Sequence, residues 1–279
     1  LNTPEEISEH IPADDSALTA RRSRRTLLKG AAGAAGLVVA SASALSALPA
    51  QAHVVRPGDG SAMQQNNGQY RMSQNTADSI IDILTVARTA EQLAVTFYTN
   101  GIANAEKLGI TGDNLAYLKA ALVEEQIHQL FFTANGGNSL ADTFSFPQGP
   151  QTFTDLKTFI ATQQQLEGVF DSAFLAAIME FAQLGRPDLA QIAGQIATVE
   201  SEHRALGRVI GGLIPADNWA FTPVLVTSVG AAPALVQKAG YLSPVSGNSY
   251  TYQQVDTSGA GVEQVKPFSL STGTVVGNG

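Results

Sequence analysis

Two short motifs of the chain share a glutamate and a histidine at the same spacing. Glu125-Gln126-Ile127-His128 and Glu200-Ser201-Glu202-His203 each put a carboxylate three residues ahead of an imidazole. On an α-helix, residues three apart lie about 60° apart around the axis and less than one turn along it, so both side chains reach one point. An oxygen donor and a nitrogen donor held in this way form a bidentate pair for a metal cation. Two further glutamates stand in matching places: Glu91 precedes Glu125 by 34 residues and Glu167 precedes Glu200 by 33. If each half folds about a short turn, both pairs come level at one height. Four Glu and two His are then the ligand set of two ions in a helical bundle, one Glu from each of two helices and Glu-x-x-His from the other two. The competing readings are ordinary solvated helix faces and a degenerate site that keeps the bundle but binds metal weakly. With nine glutamates after Ala52, finding one three before both histidines by chance has odds on the order of a per cent.

Four helices must carry these groups. Apolar residues recur at three- and four-residue steps from about Thr76 to Lys107, through Ile80, Leu84, Ala87, Phe97 and Tyr98. A second pattern starts near Asp113, a plausible N-cap, and stops at Asn135-Gly136-Gly137. A third runs from about Thr154 to Leu184. The fourth begins at Pro187, suited to a first turn, and ends at Gly211-Gly212. Between the second and third lies Asn138 to Thr152, with Pro147, Gly149 and Pro150. It is too long for a tight hairpin, so it is expected to carry the chain from one end of a bundle to the other. The predicted fold class is all-α: a ferritin-like four-helix bundle with a long crossover between helices two and three, spanning 75–212. A C-terminal extension, 213–279, follows, with a weak helix expected over Val224 to Ala239 and a strand-like or loose tail after Pro244.

From about Thr76 to Gly212 the sequence resembles the ferritin-like di-iron carboxylate superfamily, specifically its exported members related to desiccation-associated proteins. The resemblance implies Glu125 and Glu200 as bridging carboxylates, Glu91 and Glu167 as terminal ones, and His128 and His203 as one imidazole per metal. It implies two metal ions, iron or else manganese, since mixed oxygen and nitrogen ligation suits both.

Tyr98 lies two turns from Glu91 on one face, either as core packing or as a hydrogen-bonding or redox-active neighbour of the metals. Glu124 and Glu202 flank the ligands, as supporting groups or as exposed ones. Glu180, thirteen residues past Glu167, is expected to point the opposite way as a surface charge. Trp219 suggests no role.

The front of the chain reads as an address. Arg24-Arg25-Thr26-Leu27-Leu28-Lys29 precedes a mildly apolar run, Gly30 to Leu48, and Ala50-Gln51-Ala52 supplies a small-x-small cleavage pattern. The paired arginines resemble a twin-arginine signal over 1–52, with the twin-arginine translocase as partner and a periplasmic or extracellular destination. The competing reading is a retained anchor. Residues 53–74 are a Gly-, Gln- and Asn-rich lead-in, and no stable membrane span is expected after cleavage.

Composition narrows the chemistry further. The chain has no cysteine, which excludes thiolate metal sites, iron–sulfur clusters and a rubredoxin-type electron module. The net charge is −8, and the acids and bases of residues 1–29 cancel, so the body has no basic stripe for nucleic acid. The expected function is a di-metal carboxylate protein reacting with dioxygen or peroxide, as ferroxidase, peroxidase or catalase-like scavenger. The alternative is a non-catalytic stress or desiccation-protective scaffold. A monomer or homodimer is expected in preference to a cage.

Overall fold

The computed structural model describes residues 77–269 and 274–275. The expected signal peptide (1–52), the lead-in (53–74) and the expected helix start at Thr76 lie outside the described residues.

Four long helices form the body: α1 (Ile80–Ala103), α3 (Gly112–Ala134), α4 (Leu156–Gln183) and α5 (Pro187–Ile210). Each start has a local cause. Ser79 Oγ accepts from Asp82 N at 3.2 Å to cap α1, and Asp155 accepts from Thr158 N at 2.8 Å to cap α4. Pro187 occupies the first turn of α5, where a missing N–H leaves no partner unsatisfied. Two boundaries differ from the periodicity reading. The first helix ends at Ala103, and a one-turn helix α2 (Ala105–Leu108) follows after Asn104, whose side chain bonds back to Asn100 O at 2.9 Å. The second helix is capped at Thr111, with Asp113 inside its first turn, where its charge complements the helix dipole.

Helices α1 and α3 pack as one pair and α4 and α5 as the other, with α1 also against α4 and α3 against α5. The end of α3 returns to the start of α1: Asn138 N donates to Thr85 Oγ1 and Leu140 N to Thr89 Oγ1, both at 3.0 Å. These bonds fix the pair as antiparallel. They need close backbone approach, and a Cβ on Gly137 would stand 2.6 Å from Leu84 O.

The crossover carries a short strand β1 (Thr143–Phe144) and a 3-10 turn (Gly149–Phe153). It buries Phe144, Phe146 and Phe153 against the bundle. Phe97 and Phe159 stack at 4.5 Å, and Phe146 and Phe153, edge-to-face with each other, lie tilted against Phe97. Each such ring contributes about 1.5–3 kcal/mol. Gly101 admits the Phe159 ring, since a Cβ there would lie 2.5 Å from it.

The extension is more firmly tied, and less helical, than its sequence suggests. The helix expected over Val224 to Ala239 is limited to a 3-10 turn (Val229–Ala231) and α6 (Ala232–Ala239), with Pro233 in the first turn. Before it, Leu225 N and Val226 N both donate to Ser172 Oγ, which anchors extended chain on α4. After it, β2 (Tyr250–Thr251) pairs antiparallel with β1, and Tyr252 OH and Val255 N donate to Gln126 Oε1 on α3. Residues 268–269 and 274–275 form the paired strands β3 and β4, and β3 lies along α5. Among the described residues no helix is long and apolar enough to cross a membrane.

Candidate metal centre

All six residues singled out by type and spacing converge. Glu91 of α1, Glu125 and His128 of α3, Glu167 of α4, and Glu200 and His203 of α5 form two overlapping groups, one of Glu91, Glu125, His128 and Glu200, the other of Glu125, Glu167, Glu200 and His203. Within each group the nearest donor atoms all lie within 4.8 Å of one another. The overlap has a definite geometry. Glu125 turns Oε2 towards His128 Nδ1 (3.8 Å) and Oε1 towards His203 Nδ1 (3.1 Å). Glu200 does the same, with Oε1 at 3.6 Å from His128 Nδ1 and Oε2 at 3.5 Å from His203 Nδ1. These two carboxylates therefore straddle both groups, while Glu91 with His128 and Glu167 with His203 each belong to one.

The cluster lies in the bundle interior, and its polar atoms lack ordinary partners. The four glutamates and His203 are buried. Both oxygens of Glu91, Glu125 and Glu200, together with Glu167 Oε2, His128 Nδ1 and His203 Nδ1, make no hydrogen bond among the described residues. Buried polar groups are almost always satisfied, so a convergence of orphans with hard oxygen and imidazole character fits cations. Without cations, protons fill part of that role. Burial, then the neighbouring Glu125 and Glu200 charges, raises the carboxyls of Glu91 and Glu167 well above the usual range. Burial acts against the charged form of Glu125 as well, but its contacts with Glu91, His128 and His203 outweigh it and hold that carboxyl low. Burial would also lower both imidazoles. The carboxylates around His128, and Glu124, Glu125 and Glu200 around His203, raise them instead.

A surrounding set of residues orients the cluster. Tyr98 OH donates to Glu167 Oε1, and burial, then the Glu167 and Glu125 charges, keeps the phenol protonated. Both roles open to Tyr98 in the sequence hold: its ring packs in the core against Phe97, and its hydroxyl makes the hydrogen-bonding contact. Glu124 Oε2 stands 2.8 Å from His203 Nε2, so Nδ1 is the nitrogen left facing the carboxylates. Glu202 is exposed, because its direction from the helix axis carries it to solvent.

One reading is corrected, and one residue left without a role finds a partner. Glu180 is not a surface charge: it is buried, and its two oxygens accept from Asp78 N (3.1 Å) and Val229 N (2.9 Å). Its direction on the wheel is away from the metals, but the extension covers that face. Trp219 does have a partner, the Arg204 guanidinium, which stacks 3.1 Å from the ring centroid.

Two supporting residues were missed altogether. Gln163 Nε2 donates to His203 O at 2.7 Å and to Tyr98 OH at 3.2 Å. Asp171, buried, accepts from Ser201 Oγ at 3.0 Å, and burial raises its carboxyl to about 6. Their signal was legible: Gln163, Glu167 and Asp171 repeat at four-residue steps and so share one face of α4.

No curated protein and no solved structure matches the chain. The family model described as a ferritin-like domain matches residues 79–211, a span that holds the four long helices and all six converging side chains, so this part of the chain is similar to ferritin-like domains.

Proposed function

We propose that the protein is a di-metal carboxylate protein, with iron as the metal, that reacts with dioxygen or peroxide. The observation that carries the reading is the double-sided presentation of Glu125 and Glu200, one oxygen to each imidazole-bearing group. In this reading Glu125 and Glu200 hold both ions, Glu91 with His128 completes one, and Glu167 with His203 completes the other. A bound iron pair supplies two electrons to an O–O bond, which a single ferrous ion does not. The chain's own part is orientation and exclusion of water. Glu124 fixes which His203 nitrogen faces the centre. Tyr98 holds a proton against Glu167. Phe131 and Phe170, buried one turn from His128 and Glu167, keep the surroundings dry. Ferroxidase activity and peroxide scavenging are the activities this arrangement suits, and manganese in place of iron would favour disproportionation of peroxide.

Export by the twin-arginine route with cleavage after Ala52 belongs to the same proposal, supported by the arginine pair and the Ala-Gln-Ala site. A folded-state route would let the centre load in the cytoplasm, where iron meets less competition from copper and zinc. A role under stress or desiccation, and a monomeric or dimeric state, complete the reading.

Elemental analysis of protein purified from its native compartment, paired with a peroxide-consumption assay, tests it. About two metals per chain, with turnover abolished in Glu125→Ala, is the expected result. Stable, metal-free protein without turnover overturns it and leaves the scaffold reading. N-terminal sequencing of the same sample should begin at His53.

A further inference from the structure

Among the six converging residues, His128 is the one that is not fully buried. The His128 side chain is 13% exposed, whereas those of Glu91, Glu125, Glu200 and His203 are exposed by 1% or less. His128 forms part of the lining of a groove of about 250 Å³ between α3 and α5. Its Nδ1 faces Glu91, Glu125 and Glu200, so the same ring belongs to the buried cluster on one edge and to the groove on the other. Ile127, Ile196 and Val199 supply apolar wall, and Val262 and Val265 of the extension add apolar surface across the groove. Strand β3 along α5 holds that part of the extension in place. The charged groups lining the groove are Glu124, Glu202 and Glu263 against the single ammonium of Lys266.

The geometry points to this groove as the binding site of a neutral or cationic organic molecule with an apolar body of about ten non-hydrogen atoms, seated against His128 beside the metal centre. The inference rests on the metal-centre reading for its proximity to metal, and extends it by naming a substrate class. The size follows from comparison: a cavity of about 150 Å³ accepts benzene, so a groove of this volume takes a ring with a short side chain. The apolar walls select the body of the molecule. The charge selection follows from the excess of carboxylates, which at roughly 7 Å disfavours an anion by about tenfold relative to a neutral isostere. This assigns Glu202 and Glu263 to the groove, apart from metal holding.

Three probes of nearly equal shape test the inference: tyramine (cationic), 4-ethylphenol (neutral) and 4-hydroxyphenylacetate (anionic). Saturation-transfer NMR on the full chain reads groove binding whether or not metal is present. Line broadening of probe protons in manganese-loaded protein reads proximity to the centre. Tyramine and 4-ethylphenol should bind and broaden, with 4-hydroxyphenylacetate about tenfold weaker. Val199→Trp, which fills the groove, should remove the signal. The surface pair Glu202→Lys with Glu263→Lys should invert the charge preference. Equal binding of the three probes, an unchanged preference in the double variant, or binding without broadening in manganese-loaded protein overturns the inference. Failure to load metal strikes the metal-centre reading alone, because saturation transfer still decides whether the groove selects by charge.

Discussion

Removing metal from the loaded protein should lower its melting temperature far more than a typical point mutation does. The reason lies in the nine buried nitrogen and oxygen atoms of the cluster that have no hydrogen-bond partner among the described residues. Each unsatisfied buried polar atom costs about 1–3 kcal/mol, so nine of them cost roughly 9–27 kcal/mol, as much as the roughly 5–15 kcal/mol that holds a whole domain folded. An empty, fully ionised cluster is therefore incompatible with a stable bundle, and protons on Glu91, Glu167, His128 and His203 relieve only part of the cost. Cations relieve the rest. A ligand at a thousandfold excess over its dissociation constant adds about 4 kcal/mol per site, about 8 kcal/mol for two. At about 2–4 °C per kcal/mol for a chain of this size, chelation should lower the melting temperature by roughly 16–32 °C, and re-addition of ferrous iron or manganese should restore it. Differential scanning calorimetry on loaded, chelated and reloaded protein measures this. Equal melting of the loaded and chelated forms, within about 3 °C, would refute the reasoning, because the orphaned atoms would then be satisfied by something other than metal.

Four further outcomes follow from the same geometry. The chelated protein should be most stable on the acid side: Glu91 and Glu167 are raised above 4.5 and His128 and His203 above 6.5 in the folded state, so their contribution is complete below those values and is lost as pH rises through the folded ones. Metal displaces these protons, so calorimetric titration in buffers of different ionisation enthalpy should show proton release, and affinity should rise with pH. Glu124→Gln replaces the carboxylate facing His203 Nε2 with a neutral amide and should weaken metal binding about 10–100-fold in a chelator-competition assay while the fold persists. Glu180→Ala strands the N–H groups of Asp78 and Val229, should cost about 2–4 kcal/mol in thermal unfolding, and should leave metal content unchanged.

Much of the centre was legible because its information is local. Glu125 with His128, and Glu200 with His203, are three apart, and helix geometry alone brings such residues to one face whatever surrounds them. The 34- and 33-residue intervals then place Glu91 and Glu167 level with them, since two antiparallel helices about a short turn conserve height. Helix ends were less legible. The first helix stops at Asn104, whose side chain bonds back to Asn100 O, inside an apolar pattern that continues to Lys107 and does not register the break.

Glu180 marks the boundary of such reasoning. Its direction on the helical wheel was read correctly, but its burial was not, because the groups that cover it arrive from residues 102 and 49 positions away. The same holds for Glu124 and Glu202: both flank a ligand, and only the packing of α3 against α5 turns the first towards His203 and leaves the second in solvent. The return of the C-terminal extension over β1, Gln126 and the mouth of the groove left no periodic trace, since backbone hydrogen bonds and scattered valines carry it. Sequence by itself determined the helical bundle and the six side chains that meet inside it, because short-range geometry and repeat spacing are properties of one chain segment at a time. Which carboxylates straddle both imidazoles, which neighbours orient them, and where the centre opens were decided only by the tertiary structure, because each depends on surfaces contributed by distant segments.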